Sequence, residues 1–409
     1  MMKLAVIFES SPFDRKGLFN AVHNRVKHLL ATGECTIDVY CVHSRDNAFT
    51  RRMRHTSVVP SVDEVQIEGI RYRLLWYGFS ILDYALLEKL HVRPWLFRRF
   101  MSSHVDMLKG YDAVIAHSFC GGLFALMAHE RFGVPYYVTW HGSDVHTHPW
   151  RVPVILQDTK AVMEVAKCNF FVSKALMAAS DKITAQARKE VLYNGVSEDF
   201  VEFSAEKKAA VRERYGLSPE DVVVAFVGNL VPVKNVLVLP ELFANMASGF
   251  SGSLKFWIVG DGKLRNQLEA SCLSLPCEGA PSRHCEERSD VAIRFFGNQP
   301  PSSMPDIMNC IDVLLIPSMN EGLPLVCAEA LRCGANVVGS DVGGIAEVIG
   351  AENVVPLGDG FVDALAGKAL SYLDARSGHT PSDDVASQSL LPDFSWERTA
   401  ALELSFIQS

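Results

Sequence analysis

The chain has 409 residues, of which 48% are hydrophobic and 21% charged, and a formal net charge of −8. This is ordinary soluble globular composition, enough for two or three domains, and no uninterrupted apolar run reaches the roughly 18 residues that a membrane span needs. Ten cysteines are scattered without a Cys-x2-Cys pair, which suits a reducing compartment and makes a cytoplasmic protein the expectation. Cys272, Cys277, His284 and Cys285 match no standard zinc spacing.

The charge is uneven. Residues 1–200 hold 24 Lys and Arg against 20 Asp and Glu, whereas residues 201–409 hold 15 against 27. The basic half includes Arg51-Arg52-Met53-Arg54 and the run Arg93-Pro94-Trp95-Leu96-Phe97-Arg98-Arg99-Phe100-Met101. That run reads first as a surface helix with its apolar side on the core. Its mixture of arginines and aromatics also suits reversible contact with an anionic membrane, with Trp95 and Phe97 entering the interface. No nucleic-acid-binding motif accompanies the charge, so nucleic acid is not an expected partner.

In chain order, the start Met1 to Phe8 is too short for a signal peptide and is followed by Glu9 and Asp14, so Leu4–Phe8 reads as a buried first strand. A loop with Gly17 and a helical run from Ala21 to Leu30 follow, then a strand at Thr36–Val42. Asp112 to His117 is a further strand leading into Gly121-Gly122 and a helix to His129. Pro135 to Trp140 is a strand ending in the polar loop His141-Gly142-Ser143-Asp144. Cys168 to Ser173 and Arg188 to Gly195 complete the first set. A second set begins after Phe203, with strands at Val222–Val227, Leu254–Val259, Ile293–Phe296, Val313–Ile316, Asn336–Gly339 and Asn353–Pro356, and a last helix capped by Ser395. Such alternation predicts parallel sheets covered by helices. Residues 274–292 lack useful periodicity and read as a surface insertion; residues 375–392 are similarly polar.

The segment Ser318 to Ala330 is the most informative. A strand leads into a loop with Glu321 and Gly322, and Pro324 precedes a helix from Leu325 to Cys333. Proline suits a helix's first turn, because its missing N–H is not needed there. Glycine lets the backbone approach a ligand, and an open helix N-terminus attracts anions. Glu321 stands before the helix and Glu329 more than one turn inside it, so one carboxylate can meet the near part of an extended phosphorylated ligand and the other a hydroxyl-rich part further along.

The E-x7-E spacing of Glu321 and Glu329, followed by Gly339-Ser340-Asp341-Val342-Gly343-Gly344, resembles the C-terminal domain of the retaining glycosyltransferases of family 4. The resemblance implies an α/β fold of two facing Rossmann-like domains (GT-B), with the C-terminal helix crossing back to the first domain. The expected divisions are residues 1–203 for acceptor recognition, 204–390 for the nucleotide-sugar and 391–409 for the crossover helix. It further implies transfer of a sugar from a UDP- or GDP-type nucleotide-sugar to a saccharide or lipid-linked acceptor, in cell-surface polysaccharide or lipopolysaccharide synthesis. The nucleotide-sugar is a substrate, and no cofactor is expected.

Carried over onto this sequence, His141, Lys234 and Glu321 are the catalytic candidates. Gly17, Gly228, Asn229, Asn298, Gly322, Leu323, Pro324, Leu325 and Glu329 are the donor-binding candidates. The loop Gly228 to Asn235 follows a strand and is expected to open a helix. Lys234 matches the family's phosphate-binding lysine, while Asn229 stands where the family has an arginine and removes one fixed charge. Ser173 and Asn194-Gly195 match family landmarks but read more simply as a helix cap and a turn. No Asp-x-Asp motif is present, so no metal ligands are expected. Two other readings stand beside this one: a different GT-B enzyme such as a nucleotide-sugar epimerase, and a catalytically silent sugar-binding partner, towards which Asn229 leans.

Overall fold

The computed structural model describes residues 1–13, 17–45, 60, 62–78, 80–274, 291–374 and 394–409. Most of the 274–292 insertion, the Arg51–Arg54 cluster and the 375–392 segment lie outside the described residues. The chain divides into two compact units, Met1–Gly195 with Phe394–Ser409, and Val196–Asp393.

In the first unit eight strands are ordered β3-β4-β2-β1-β5-β6-β7-β8. They are β1 Met2–Glu9, β2 Cys35–Arg45, β3 Glu64–Ile67, β4 Ile70–Gly78, β5 Ala113–His117, β6 Tyr136–Trp140, β7 Cys168–Phe171 and β8 Lys189–Val191. Every pairing is parallel except the β3–β4 hairpin. The segment Leu4 to Phe8 has essentially no solvent contact, as a central strand covered on both faces requires. The hairpin was not expected from the sequence. Its turn is made by Glu68 at φ 48° and Gly69 at φ 81°, the left-handed pair that a tight hairpin needs.

The helices of this unit include α1 Gly17–Ala31, α2 Ile81–Glu88, α3 Trp95–His104, α4 Ser118–Phe132 and α5 Pro153–Val165. A core of Val6, Phe8, Val22, Val26, Ile115 and Phe170 also takes in Ala400, Leu404 and Ile407 from the C-terminal helix Trp396–Gln408. That helix starts as expected, with the Ser395 hydroxyl accepting from Arg398 N at 3.2 Å. It thus belongs to the first unit although it follows the second in sequence.

The second unit has six parallel strands, β9 Val222–Val227, β10 Leu254–Val259, β11 Val291–Gly297, β12 Val313–Ile316, β13 Asn336–Ser340 and β14 Val354–Val355. Their order is β11-β10-β9-β12-β13-β14, the doubly wound arrangement, in which the chain reverses its direction of winding between β9 and β12. Helices α6 Ala205–Arg214, α7 Leu239–Gly249, α8 Arg265–Leu273, α9 Met304–Cys310, α10 Leu325–Arg332 and α11 Phe361–Asp374 cover the sheet. Val224, Phe226, Phe243, Ile258, Leu315 and Leu365 lie in its core.

Candidate active site

Open parallel sheets bind ligands beyond the C-terminal ends of their strands, where winding reverses. In the second unit that crevice lies between the loops after β9 and β12. The first loop does not open a helix at once, as the sequence suggested. It makes a 3-10 turn at Pro232–Lys234, a left-handed residue at Asn235 with φ 53°, and a second 3-10 turn at Val236–Val238, before α7 starts at Leu239. A left-handed residue cannot continue a right-handed helix, which is why Lys234 stands on a turn.

From that turn the Lys234 ammonium donates to the Glu321 carboxylate in the loop after β12. The Ser318 hydroxyl donates to the same carboxylate at 2.7 Å, and Met319 N bonds Val233 O at 2.8 Å, fastening the two loops together. The loop after β13 supports them. The Ser340 hydroxyl donates to Ser318 O, and Gly343, at φ 54°, lies so close to the Glu321 carbonyl that a Cβ there would overlap it. The Asp-Val-Gly-Gly segment therefore acts as a prop under Glu321. Ser318, Ser340 and Gly343 lie in segments that the sequence marked, but their supporting roles were not legible there, because these depend on strand adjacency.

Helix α10 begins after Pro324, which supplies no side-chain cap to its first turn. The amides around Gly322 to Leu325 thus form the end of a helix dipole beside the Lys234–Glu321 pair. Glu329 lies one turn further in. It retains some solvent contact, yet burial among its neighbours pushes its carboxyl up to about 7. A carboxylate so raised gains strongly from hydroxyl donors that would replace its lost hydration.

Gly228, Gly260 and Gly297 end β9, β10 and β11 in contact with one another: Gly228 N bonds Val259 O, and Gly260 N bonds Gly297 O, both at 2.9 Å. Gly260, at φ 129°, would drive any Cβ into the Gly228 carbonyl. Asn229 and Asn298 are exposed beside this backbone floor.

Gly17 and His141 belong to the first unit. Gly17 is exposed at the start of α1. His141 follows β6, and its Nε2 lies 3.1 Å from His117 Nδ1 at the end of β5. Burial, with the Arg25 charge adding to it, lowers His141 to about 3. His117 is depressed well below the ordinary histidine range, also by burial first. Both rings are therefore neutral at pH 7, and His141 is suited to exchange hydrogen bonds rather than to supply a positive charge. Asp144 holds the loop, accepting from Gly142 N at 2.8 Å and from His141 N at 3.2 Å. The link to His117 was not apparent in the sequence, where it closes an apolar strand like any buried residue.

A buried ionic cluster lies in the same unit. Arg25 of α1 donates to Thr139 Oγ1 at 2.7 Å and to Asn194 Oδ1 at 3.0 Å, and its Nη1 lies 3.6 Å from Glu403 of the C-terminal helix. Arg25 and Glu403 are essentially inaccessible to solvent. Asn194, expected to be a plain turn residue, is part of this network.

Two units, each built on a largely parallel doubly wound sheet, match the GT-B fold of solved glycosyltransferases. Two family descriptions match along the chain: "Glycosyl transferase 4-like domain" over residues 20–195 and "Glycosyl transferases group 1" over residues 221–375. The chain belongs to the family 4-type GT-B glycosyltransferases. It is 25% identical over 268 residues to the putative teichuronic acid biosynthesis glycosyltransferase TuaC of Bacillus subtilis, a match covering 64% of this chain and 61% of TuaC. Among solved structures it resembles sucrose-phosphate synthase of Thermosynechococcus elongatus, with a TM-score of 0.72 and 18% identity over 100% of this chain and 98% of that one. It also resembles HepE of Anabaena in complex with UDP-glucose, with a TM-score of 0.64 and 16% identity over 100% and 98%.

Proposed function

We propose that this protein moves a sugar from a UDP-type nucleotide-sugar to a saccharide or lipid-linked acceptor of a cell-surface polysaccharide, with retention of anomeric configuration. The observation that carries the reading is the Lys234–Glu321–Ser318 cluster at the β9/β12 reversal point, beside the uncapped start of α10. The UDP preference rests on likeness to HepE, and the polysaccharide setting on the relationship to TuaC.

In this reading the acceptor hydroxyl attacks the anomeric carbon on the face from which the diphosphate leaves. The bond between that carbon and the phosphate oxygen breaks, and the acceptor proton passes to the departing oxygen. Lys234 and the α10 amides would take up the negative charge that grows on the diphosphate. Glu321 holds Lys234 in place beforehand, and Glu329 would accept the ribose hydroxyls. His141, uncharged, would offer the sugar a hydrogen bond. No divalent metal is invoked, since Lys234 and the helix end supply the countercharge.

The test is a panel of nucleotide-sugars scored by thermal stabilisation. Transfer assays follow with and without EDTA, and the product's anomeric configuration is read by NMR. If no nucleotide-sugar stabilises the protein, or if the product is inverted, the reading fails. Loss of turnover in EDTA that Mg²⁺ restores would reject metal independence.

The acceptor side would work at a membrane surface on the cytoplasmic side. Residues 89–105 carry four Lys and Arg and no acid, and Trp95 is 60% exposed. Of the residues expected to make this contact, Trp95, Arg98 and Arg99 are exposed. Phe97 packs on Tyr77 with ring centroids 5.0 Å apart, and Arg93 is tied to Asp158, so neither projects freely from the surface. Leu90, Val92, Trp95, Leu96, Arg98 and Arg99 remain exposed. Co-sedimentation with anionic vesicles should occur at low salt and weaken as salt rises. Equal sedimentation of wild type and an Arg98→Glu, Arg99→Glu variant would reject it.

A further inference from the structure

Helix α4 is apolar on two faces. One face, with Phe124, Ala125 and Ala128, is buried in the core of the first unit. The other face presents Leu123 and Met127, one turn apart, to a cavity of about 370 Å³. Phe97 and Met101 of α3, again one turn apart, and Ile155 and Ala161 of α5 line the same space. A cavity of this volume is in the range of small-molecule sites. A well-packed domain rarely leaves three helical stripes facing an unfilled space.

Four of the polar groups on its wall are paired, and Glu130 also lines the cavity, exposed at its edge. Arg93 Nε lies 2.9 Å from both oxygens of Asp158, and the Tyr77 hydroxyl donates to Glu9 at 2.6 Å. Apart from Glu130 and Arg98, the rest of the lining is apolar. At the rim the character changes: Arg98 lines the cavity and is exposed. It stands in the acid-free stretch 89–105 beside the exposed apolar side chains of Leu90, Trp95 and Leu96. An apolar interior that opens on the Arg98 side to a basic, apolar-studded stretch is complementary to an amphiphile with one hydrocarbon chain and an anionic head lying towards Arg98 and away from Glu130.

We propose that this cavity binds the hydrocarbon chain of a lipid phosphate, with Arg98 facing the head, and that it seats the lipid of the acceptor. The last clause rests on the transferase reading above, while the cavity's binding of a chain does not.

The test uses the full chain with hexyl, octyl and decyl phosphate below their micelle concentrations, with inorganic phosphate and the matching alcohols as controls. Affinity should rise about fourfold for each methylene buried, up to the length the cavity holds. Inorganic phosphate should give no competing signal. Ala161→Leu and Leu123→Trp, which fill the space, should each weaken decyl phosphate at least tenfold. Their melting temperatures and nucleotide-sugar response report whether they fold, and either variant suffices if the other does not. Arg98→Glu should weaken the phosphates and leave the alcohols unchanged. Affinity independent of chain length, or unaltered in a folded filled variant, overturns the proposal. Chain-dependent binding without transfer from any nucleotide-sugar keeps the cavity and rejects the transferase reading. Transfer to soluble saccharides without chain binding does the reverse.

Discussion

The Lys234 ammonium donates to the Glu321 carboxylate across two loops that lie 87 positions apart in the chain. The lysine is thus held in place before any ligand arrives, and a diphosphate would meet a charge already oriented. Ser318 supplies a second donor to the same carboxylate, so Glu321 keeps a partner if the lysine turns towards phosphate.

Lys234→Ala should lower turnover by about tenfold to a hundredfold while donor affinity falls less, because the leaving group's charge is greatest in the transition state. Steady-state kinetics with separate donor titration checks this. Parental turnover in the variant removes Lys234 from the phosphate site. A double-mutant cycle with Glu321→Gln should give a coupling of about 0.5–3 kcal/mol, as expected for residues in direct contact.

Glu329→Ala should weaken donor binding tenfold to a hundredfold, corresponding to about 1.5–3 kcal/mol for hydrogen bonds to a charged group. The pH dependence has a definite sign. Burial raises this carboxyl from 4.5 to about 7, so between those values the folded protein holds a proton that the unfolded chain has lost. Stability contributed by this group therefore falls as pH rises from 4.5 to 7 and is level above that. Glu329→Gln should be more stable than the parent at pH 8, by about 1–3 kcal/mol, and no more stable below pH 4.5. Urea unfolding at the two pH values decides it. Donor affinity should increase as pH rises through 7, since only the ionised carboxylate accepts two hydroxyls.

Gly343→Ala should damage the site without touching a ligand. Its Cβ would overlap the Glu321 carbonyl, and its φ of 54° disfavours a side chain in any case. The loop must shift, and a displacement near 1 Å at reacting groups costs on the order of a hundredfold in rate. Activity within twofold of the parent in a folded variant would show that the prop is not needed.

Glu403→Ala should destabilise the first unit by about 3–5 kcal/mol, because it leaves the Arg25 cation buried without its counter-ion. Arg25→Met combined with Glu403→Leu should recover most of that loss, the remainder reflecting the bonds to Thr139 and Asn194. Chemical denaturation of the three proteins measures it. Equal stability of Glu403→Ala and the parent would mean that the C-terminal helix is held by its apolar residues alone.

The sequence by itself determined which segments become strands. Runs such as Val313–Ile316 are buried on both faces and read as strands whatever surrounds them. Alternation with helices then required parallel sheets, and the E-x7-E pattern marked Glu321 and Glu329. It did not determine the Glu68-Gly69 hairpin, because a glutamate in the left-handed region is not a residue that announces a turn. Nor did it show that Asn235 interrupts the helix expected at Lys234.

Tertiary structure alone decided the partnerships. Lys234 meets Glu321 because β9 and β12 are neighbours at the point where the sheet reverses, and strand order is set by how helices pack on both faces rather than by local sequence. Gly343 supports Glu321 because β13 lies next to β12. Arg25 and Glu403 are charged residues that composition would place at the surface. They are buried because the last helix returns to the first unit, and there each supplies the charge that the other's burial demands.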